Sequence, residues 1–245
     1  MRRRVLDNAR LRKEDRVLDV GAGTGLLAFG ALERIGPDGE VIALDPSADC
    51  LEELQRLARE QGLNGRLSYL VGDAEVLPLP DASVEAVLTR SVLVYVRDKA
   101  EAARELFRVL RPGGRVSIFE PVNRRNTRLY EAVDFGELHE RVAVWEERCY
   151  ASPDDPMVNF DADDLVRLFE EAGFALELEL DEREERCSVE RMLHGIGAPG
   201  RPSQVEKWRE EFSPGEVERL VAAVESAGPV PRRWIRVYLW GEKPL

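Results

Sequence analysis

Histidine, cysteine and lysine are scarce in this chain of 245 residues, which has 2 histidines, 3 cysteines and only four lysines. The cysteines Cys50, Cys149 and Cys187 are far apart, and no CxxC or mixed Cys/His pattern has the spacing of metal ligands. The sequence therefore predicts reduced thiols and no metal site.

Long hydrophobic runs are also absent. No apolar stretch reaches the length that a membrane-spanning helix needs. The basic start MRRRVLDNARLRKED has no apolar segment behind it, which argues against a secretory signal. These absences predict a cytoplasmic protein with no membrane partner.

Positive charge is in deficit, because 47 acidic residues outnumber 35 basic ones and the net charge is -12. A field of this sign repels phosphate backbones, and the basic run at residues 2–4 is too short to reverse it. We therefore expect a small-molecule substrate and no nucleic-acid partner. Composition gives no prediction of the oligomeric state.

What the sequence does contain is an alternation of strand-like and helix-like segments from Arg16 to Glu120. Short apolar runs, typical of buried strands, alternate with amphipathic stretches that end at glycine or Gly-Pro. The predicted strands are Val17–Val20, Glu40–Leu44, Leu67–Val71, Val84–Thr89 and Arg115–Glu120. Strands separated by helices pair in parallel, so the pattern predicts an α/β fold with a doubly wound sheet.

The pattern changes in the later part of the chain. A helical stretch precedes residue 150, and a Pro/Gly-punctuated helical stretch covers residues 188–231. FALELELD and RWIRVYLW alternate between apolar and polar residues, as strands near a sheet edge do. No domain boundary stands out. We expect a single domain over residues 1–245, with helical lid insertions at about 122–160 and 188–231.

The first predicted strand leads into VLDVGAGTG, in which Asp19 precedes three glycines at alternate positions. Bare glycine backbone lets a ligand approach closely, and the N–H groups that open the following helix favour an anionic group. A dinucleotide pyrophosphate and an amino-acid carboxylate would both fit. The dinucleotide fingerprint GxGxxG requires glycine at position 26, where this chain has Leu26.

Polar or small residues follow three further predicted strands. Asp45 ends the second strand, where an acid can accept hydrogen bonds from a ribose diol. Asp73 and Ala74 follow the third strand, where a carboxylate and a backbone N–H can contact an adenine. Arg90 and Ser91 follow the fourth strand. Because the carboxyl ends of parallel strands meet at one edge of a sheet, we expect these residues at a common ligand site.

The stretches VLDVGAGTG, VIALDPS, VGDAEVLPLPDASVEAVL and FRVLRPGGRVSIFEP together resemble the class I S-adenosylmethionine-dependent methyltransferases of the broad small-molecule type. The resemblance is clear from Arg16 to Glu120 and weaker through the last two strands. It implies a Rossmann-like sheet of seven strands, mostly parallel with an antiparallel last strand. It also implies S-adenosyl-L-methionine as the cofactor.

The resemblance further implies a role for the first two strand ends. Asp19 would hold the methionine moiety of the cofactor together with the glycines Gly21, Gly23 and Gly25. Asp45 would bind the ribose hydroxyls.

The next two strand ends would hold the adenine and the sulfur. By the same resemblance, Asp73 and Ala74 would frame the adenine, and Arg90 with Ser91 would pass beneath the methionine sulfur. The chain departs from the family in having Val84-Glu85 where an aromatic-Asp pair is common. Only a short segment precedes the first strand, so we expect that the usual N-terminal lid is incomplete or begins upstream.

Methyl transfer from a sulfonium is an in-line displacement, in which alignment of the reacting atoms and exclusion of water supply much of the catalysis. A general base is needed only where the acceptor must lose a proton. The weak candidates are Glu120 after the fifth strand, Tyr95 where relatives often have histidine, and His139 in the first insertion. A packing or surface role is the alternative for each, so no catalytic residue is assigned.

The leading hypothesis is therefore methyl transfer to a small organic acceptor. One alternative is a non-catalytic module that binds S-adenosylmethionine, which a filled acceptor pocket would indicate. An NAD(P)-dependent oxidoreductase is a further alternative, disfavoured by Leu26, by Asp73 and by the RPGG segment.

Overall fold

Seven strands form one sheet within residues 1–195 and 200–245, the part of the chain that the computed structural model describes. Residues 196–199, which belong to the predicted insertion at 188–231, lie outside the described residues. The strands are β1 (Arg16–Val20), β2 (Glu40–Asp45), β3 (Leu67–Val71), β4 (Val84–Arg90), β5 (Leu110–Pro121), β6 (Ala175–Cys187) and β7 (Val230–Glu242). The described helices are α1 (Arg2–Asn8), α2 (Leu26–Leu32), α3 (Ala48–Glu60), α4 (Lys99–Val109), α5 (His139–Tyr150), α6 (Ala162–Ala172), α7 (Val189–His194), α8 (Gln204–Glu211) and α9 (Pro214–Ala227).

The strand order is β3-β2-β1-β4-β5-β7-β6. β1 pairs in parallel with β2 on one side and with β4 on the other, and β5 continues the parallel pairing. The last strand, β7, runs antiparallel to β5. The predicted α/β fold with seven strands and an antiparallel last strand is confirmed. Successive strands are added on one side of β1 up to β3 and on the other side from β4 onward, so the strand order reverses between β1 and β4, the position at which such sheets bind ligands.

Capping residues explain where three helices begin. The side chains of Ser47 at α3 and Asp98 at α4 each accept a hydrogen bond from a backbone N–H in the first turn. Asp161 caps α6 in the same way, and α6 ends at Gly173, whose φ of 109° is left-handed. Local sequence signals therefore set the ends of these helices.

Three elements differ most from the prediction. The helix α1 was not predicted because its sequence is dominated by basic residues, although its apolar side chains are buried. β5 begins at Leu110 instead of Arg115, because Leu110 already pairs with Val84 of β4. The chain then turns at Gly113 (φ 73°), and the pairing resumes at Arg115 after a register shift. β6 continues to Cys187 through a run of charged residues, since a strand at the sheet edge can expose both faces.

The chain divides into two compact units. The first comprises residues 1–122, 155–181 and 236–245, and its core packs apolar side chains of α1 and α2 with those of the central strands. The second comprises residues 123–154 and 182–235 and has a core of its own, which includes Phe135, Val142, Trp145, Trp208 and Leu220. The single domain over 1–245 with two lid insertions stays a prediction.

No helix of the described chain is long and apolar enough to cross a membrane. Across the same residues, no group of three or more histidine, cysteine or acidic side chains is placed to hold a metal ion. The three cysteines are free thiols.

Candidate functional site

The glycine loop joins β1 to α2. Gly21, Gly23 and Gly25 have φ angles of 66°, 53° and 94°, which residues with a Cβ atom rarely adopt. The N–H groups of Gly21 and Ala22 donate to the carbonyl oxygen of Leu44 at 2.7 and 3.0 Å, which fixes the loop to the end of β2. Three left-handed positions in five residues explain why the sequence repeats glycine here.

Packing around this loop is uneven. A Cβ on Gly21 would lie 2.3 Å from Val92 Cγ2, and a Cβ on Gly25 would lie 2.3 Å from Leu54 Cδ1. A Cβ on Gly23 would meet nothing within 4 Å. The loop is therefore packed at both ends, while its middle lies open to the close approach of a ligand.

Asp45, at the end of β2, is mostly buried. Its Oδ2 accepts a hydrogen bond from Gly23 N–H at 2.8 Å, and its Oδ1 accepts one from Ser47 N–H at 2.9 Å. One carboxylate thus links the glycine loop to the start of α3. Each carboxylate oxygen can accept more than one hydrogen bond, so Asp45 retains capacity for a ribose diol.

Asp19, on β1, is 1% exposed. Burial raises its pKa to about 8, a hydrogen bond from the backbone of Ala28 lowers it, and the charge of Asp45 raises it further. Its Oδ2 is buried and has no hydrogen-bond partner in the described part of the chain. A buried oxygen without a hydrogen-bond partner lowers the stability of the fold. A cationic ligand group that donates a hydrogen bond to Asp19 would remove this cost.

Asp73 and Ala74 follow β3, whose end lies beside the end of β2 because Gly72 N–H donates to the Asp45 carbonyl oxygen at 3.2 Å. Asp73 is exposed, and its Oδ1 accepts a hydrogen bond from Glu75 N–H at 3.0 Å. Ala74 is buried. The third strand end therefore joins the site through the backbone, with a carboxylate at its surface.

Arg90 and Ser91 form the end of β4 and the turn after it. Arg90 is exposed, and its Nε lies 3.1 Å from Met1 Sδ. Ser91 has φ 54°, a strained conformation for a residue with a side chain, and its N–H donates to the Phe119 carbonyl oxygen at 2.8 Å. The turn leads directly to Val92, which packs on the glycine loop.

Glu120, near the end of β5, is fully buried. Its Oε1 accepts hydrogen bonds from Val92 and Leu93 N–H at 2.8 and 2.9 Å, and its Oε2 accepts one from Val94 N–H at 3.1 Å. Burial raises its pKa to about 7, although these hydrogen bonds and the charge of Lys99 lower it. Both oxygens are engaged with backbone, and a catalytic role for Glu120, one of the weak candidates, stays a prediction.

The other two weak candidates lie in different units. Tyr95 belongs to the first unit and is 45% exposed in the turn after β4. His139 begins α5 in the second unit, where its Nδ1 accepts a hydrogen bond from Phe135 N–H at 3.4 Å and lies 3.7 Å from Asp134 Oδ1. A catalytic role for either residue stays a prediction.

Lys99, which sequence reasoning missed, is 5% exposed. Its Nζ donates to the carbonyl oxygens of Val96 and Pro156 and to Asn159 Oδ1, at 2.9, 3.0 and 2.8 Å. Burial lowers its pKa to about 8, and the charge of Glu120 opposes that shift. The available signal was a single lysine directly after the Asp98 helix cap, in a chain with very few lysines.

Comparison with known proteins identifies a family model and sequence relatives that match this chain. Residues 17–114 match the family model described as "Methyltransferase domain". The curated C-methyltransferase UbiE of ubiquinone/menaquinone biosynthesis from Proteus mirabilis is 33% identical over 179 residues, which cover 71% of each chain. The UbiE protein from Photorhabdus laumondii is 32% identical over the same length and shares.

Solved structures share the fold at lower identity. The YcgJ protein from Bacillus subtilis superposes with a TM-score of 0.66 at 18% identity, covering 100% of this chain and 98% of that one. A geranyl diphosphate methyltransferase in complex with SAM gives 0.58 at 16%, covering 99% and 84%. The cyclase SpnF gives 0.58 at 22%, covering 100% and 80%. One fold thus serves more than one reaction, and the assignment of chemistry depends on the sequence relatives.

Proposed function

The chain belongs to the class I S-adenosylmethionine-dependent methyltransferases, and from that premise we propose how its strand ends hold the cofactor. It is an enzyme that transfers a methyl group from S-adenosylmethionine to a small organic acceptor. Asp19 binds the ammonium of the cofactor's amino-acid end, and the glycine loop carries the rest of the methionine moiety. The buried, unpartnered Oδ2 of Asp19 is the observation that carries this proposal.

The nucleoside end follows the neighbouring strands. Asp45 accepts hydrogen bonds from the ribose hydroxyls while keeping its contacts with Gly23 and Ser47 N–H. Asp73 and Ala74 frame the adenine. The turn at Arg90 and Ser91 lies beneath the sulfur. This order repeats the order of the strand ends across β3, β2, β1 and β4.

When bound, the cofactor supplies a methyl group already activated by a sulfonium. An acceptor nucleophile would take that methyl group as the carbon–sulfur bond breaks, and S-adenosylhomocysteine would be the leaving group. The chain contributes alignment and exclusion of water more than covalent chemistry.

The acceptor atom is carbon, on an intermediate of the quinone type. The supporting observation is that the curated relatives are named C-methyltransferases of ubiquinone and menaquinone biosynthesis. A carbon acceptor must also lose a proton, and Tyr95 and His139 stay the candidates for the base that takes it. Residues 1–245 form a single methyltransferase domain with helical lid insertions at about 122–160 and 188–231, to which we assign recognition of the acceptor. The net charge of -12 disfavours nucleic acid as the acceptor.

The test is transfer of a labelled methyl group from S-adenosylmethionine to a panel of quinols, phenols, amines and thiols. We expect label on a ring carbon, in a product that resists acid and base hydrolysis. Label on nitrogen, oxygen or sulfur would leave the methyltransferase in place and overturn the carbon acceptor. Binding of S-adenosylhomocysteine without transfer to any acceptor in the panel would favour the non-catalytic module.

A further inference from the structure

We infer that Glu120 and Lys99 are positioning residues, which fix the segment 91–96 against the glycine loop from its two ends. We call residues 91–96 the β4 turn segment. The inference rests on the proposed function, because it assigns to this segment a part in holding the cofactor. Neither residue needs to touch the cofactor or the acceptor.

The first half of the segment is held by Glu120. Three consecutive backbone N–H groups, those of Val92, Leu93 and Val94, donate to the two oxygens of this one carboxylate. Hydrogen bonds to an ionised acceptor are the strong ones. A carboxylate with no solvent exposure and three backbone donors leaves the segment little freedom to shift.

The second half is held by Lys99. Its ammonium has three donors, and each has an acceptor: the Val96 carbonyl oxygen on the segment, and Pro156 and Asn159 on the chain before α6. The segment is thereby tied to two other parts of the first unit, β5 and residues 156–159.

The position of the β4 turn segment matters because two of its residues, Ser91 and Val92, lie at or beside the proposed cofactor site. Val92 lies so close to Gly21 that a single added Cβ on that glycine would clash with it. Ser91 keeps its strained φ of 54° only while the following residues hold it there. Tyr95 is exposed at the surface of the segment. A displaced segment would therefore alter the glycine loop and Ser91, one of the two residues assigned to the sulfur end of the site.

Protonation gives the positioning role a signature of its own. The ionised Glu120 carboxylate accepts all three hydrogen bonds, whereas the protonated acid converts one acceptor position into a donor. The charged group that faces Glu120 is Lys99, which is in turn influenced by Glu120, Asp155 and Glu75. Since burial raises the pKa of Glu120 to about 7, the segment is held most firmly above pH 7.

The contribution of Glu120 to the free energy of unfolding changes with pH in the opposite direction to the order of the β4 turn segment. A carboxyl whose folded pKa is raised above its ordinary value of 4.5 stabilises the fold below pH 4.5, and that contribution is lost as pH rises through about 7. Between these pH values the Glu120 contribution to overall stability falls while the β4 turn segment becomes more ordered. A glutamate with a merely structural role would leave S-adenosylhomocysteine affinity unchanged, whereas a positioning Glu120 makes that affinity follow the order of the β4 turn segment.

The experiment compares Glu120→Gln and Lys99→Met with a matched control, Glu146→Gln. Glu146 in the second unit is also a buried acid that accepts backbone N–H groups, those of Leu129 and Tyr130. Amide hydrogen exchange at residues 92–96 is measured without cofactor, and the S-adenosylhomocysteine dissociation constant is measured at pH 6 and pH 8.

Glu120→Gln should speed exchange of the Val92–Val94 amides about tenfold, weaken S-adenosylhomocysteine binding about tenfold at pH 8, and weaken it less at pH 6. Glu146→Gln should leave both readouts unchanged. Unchanged exchange at Val92–Val94 in a folded Glu120→Gln variant would overturn the inference.

If Glu120→Gln does not fold, the wild-type amide resonances of Val92–Val94 should titrate together with a midpoint near pH 7, and their failure to titrate would overturn the inference. Faster exchange in Glu120→Gln, with no S-adenosylhomocysteine binding by wild type, would instead remove the proposed function and leave the positioning role.

Discussion

Both units bury a glutamate that accepts backbone hydrogen bonds, and the two glutamates differ in what they hold. Glu146 in the second unit fixes Leu129, a member of that unit's apolar core. Glu120 in the first unit fixes Val92, which packs on a glycine loop beside a buried carboxylate with an unpartnered oxygen. A buried acid with a raised pKa is therefore no sufficient mark of a ligand site. The mark is its connection to backbone and polar atoms that lack partners of their own.

The second unit is expected to respond most strongly to loss of core volume. Trp208 has no solvent exposure and belongs to the core of that unit. Trp208→Ala should lower the free energy of unfolding by about 3–5 kcal/mol. Chemical denaturation measures this, with Val144→Ala on the exposed side of α5 as a near-neutral control. Loss of cofactor affinity in the folded variant, equal to that of a glycine-loop variant, would erase the contrast between the units.

The first unit should respond most strongly where backbone conformation and close packing coincide. Gly21→Ala adds both strain at φ 66° and a clash with Val92, so we expect about 2–4 kcal/mol less stability and loss of cofactor affinity. Gly62→Ala is the matched control, because Gly62 has φ 70° and open space around its Cβ position. Equal effects of the two substitutions in denaturation and S-adenosylhomocysteine titrations would show that packing at Val92 is unimportant.

A smaller effect on affinity is expected from the ribose position. Asp45→Ala removes the acceptor of the ribose hydroxyls and of two backbone N–H groups, and should weaken S-adenosylhomocysteine binding by about 1–3 kcal/mol. Calorimetry measures the change, and Glu52→Ala on an exposed position of α3 removes a charge without touching the site. An unchanged dissociation constant for Asp45→Ala would refute the assigned role.

The smallest expected signal is a proton released on binding. Asp19 has a pKa of about 8 before binding, so it is mostly protonated at pH 7. A bound ammonium lowers that pKa, and S-adenosylhomocysteine binding should release a fraction of one proton at pH 7. Titrations in buffers of different ionisation enthalpy measure it, and Asp19→Asn should abolish it. Proton uptake in the wild type would contradict the pairing.

The same residue makes a prediction about stability. Because burial raises the folded pKa of Asp19 from 3.8 to about 8, its stabilising contribution is complete below pH 3.8 and is lost as pH rises through about 8. Asp19→Asn should remove this part of the pH dependence of unfolding.

The first unit was readable from sequence because its signals are local. A glycine loop, acids at strand ends and the alternation of apolar and amphipathic stretches each act within a few residues, so β1 to β5 and the helices between them followed from the pattern. The edge strand β6 was predicted too short, and the basic helix α1 was not predicted. In both elements most residues are charged and face solvent, so the sequence pattern does not show the contacts that hold the element in place.

The sequence predicted which residues belong to the site, but it did not predict the hydrogen bonds that connect them. Asp19, Asp45 and Gly23 were all predicted at strand ends, yet the hydrogen bond from Gly23 to Asp45 depends on backbone geometry that spacing does not specify. The roles of Glu120 and Lys99 require three segments distant in sequence to meet. The second unit was predicted only as helical insertions, since periodicity identifies a helix without identifying which core it joins.

The most direct test is a calorimetric titration of the wild-type enzyme with S-adenosylhomocysteine, NAD and NADP. Our expectation is saturable one-to-one binding of S-adenosylhomocysteine and no binding of either dinucleotide. Binding of NAD or NADP with no response to S-adenosylhomocysteine would contradict it.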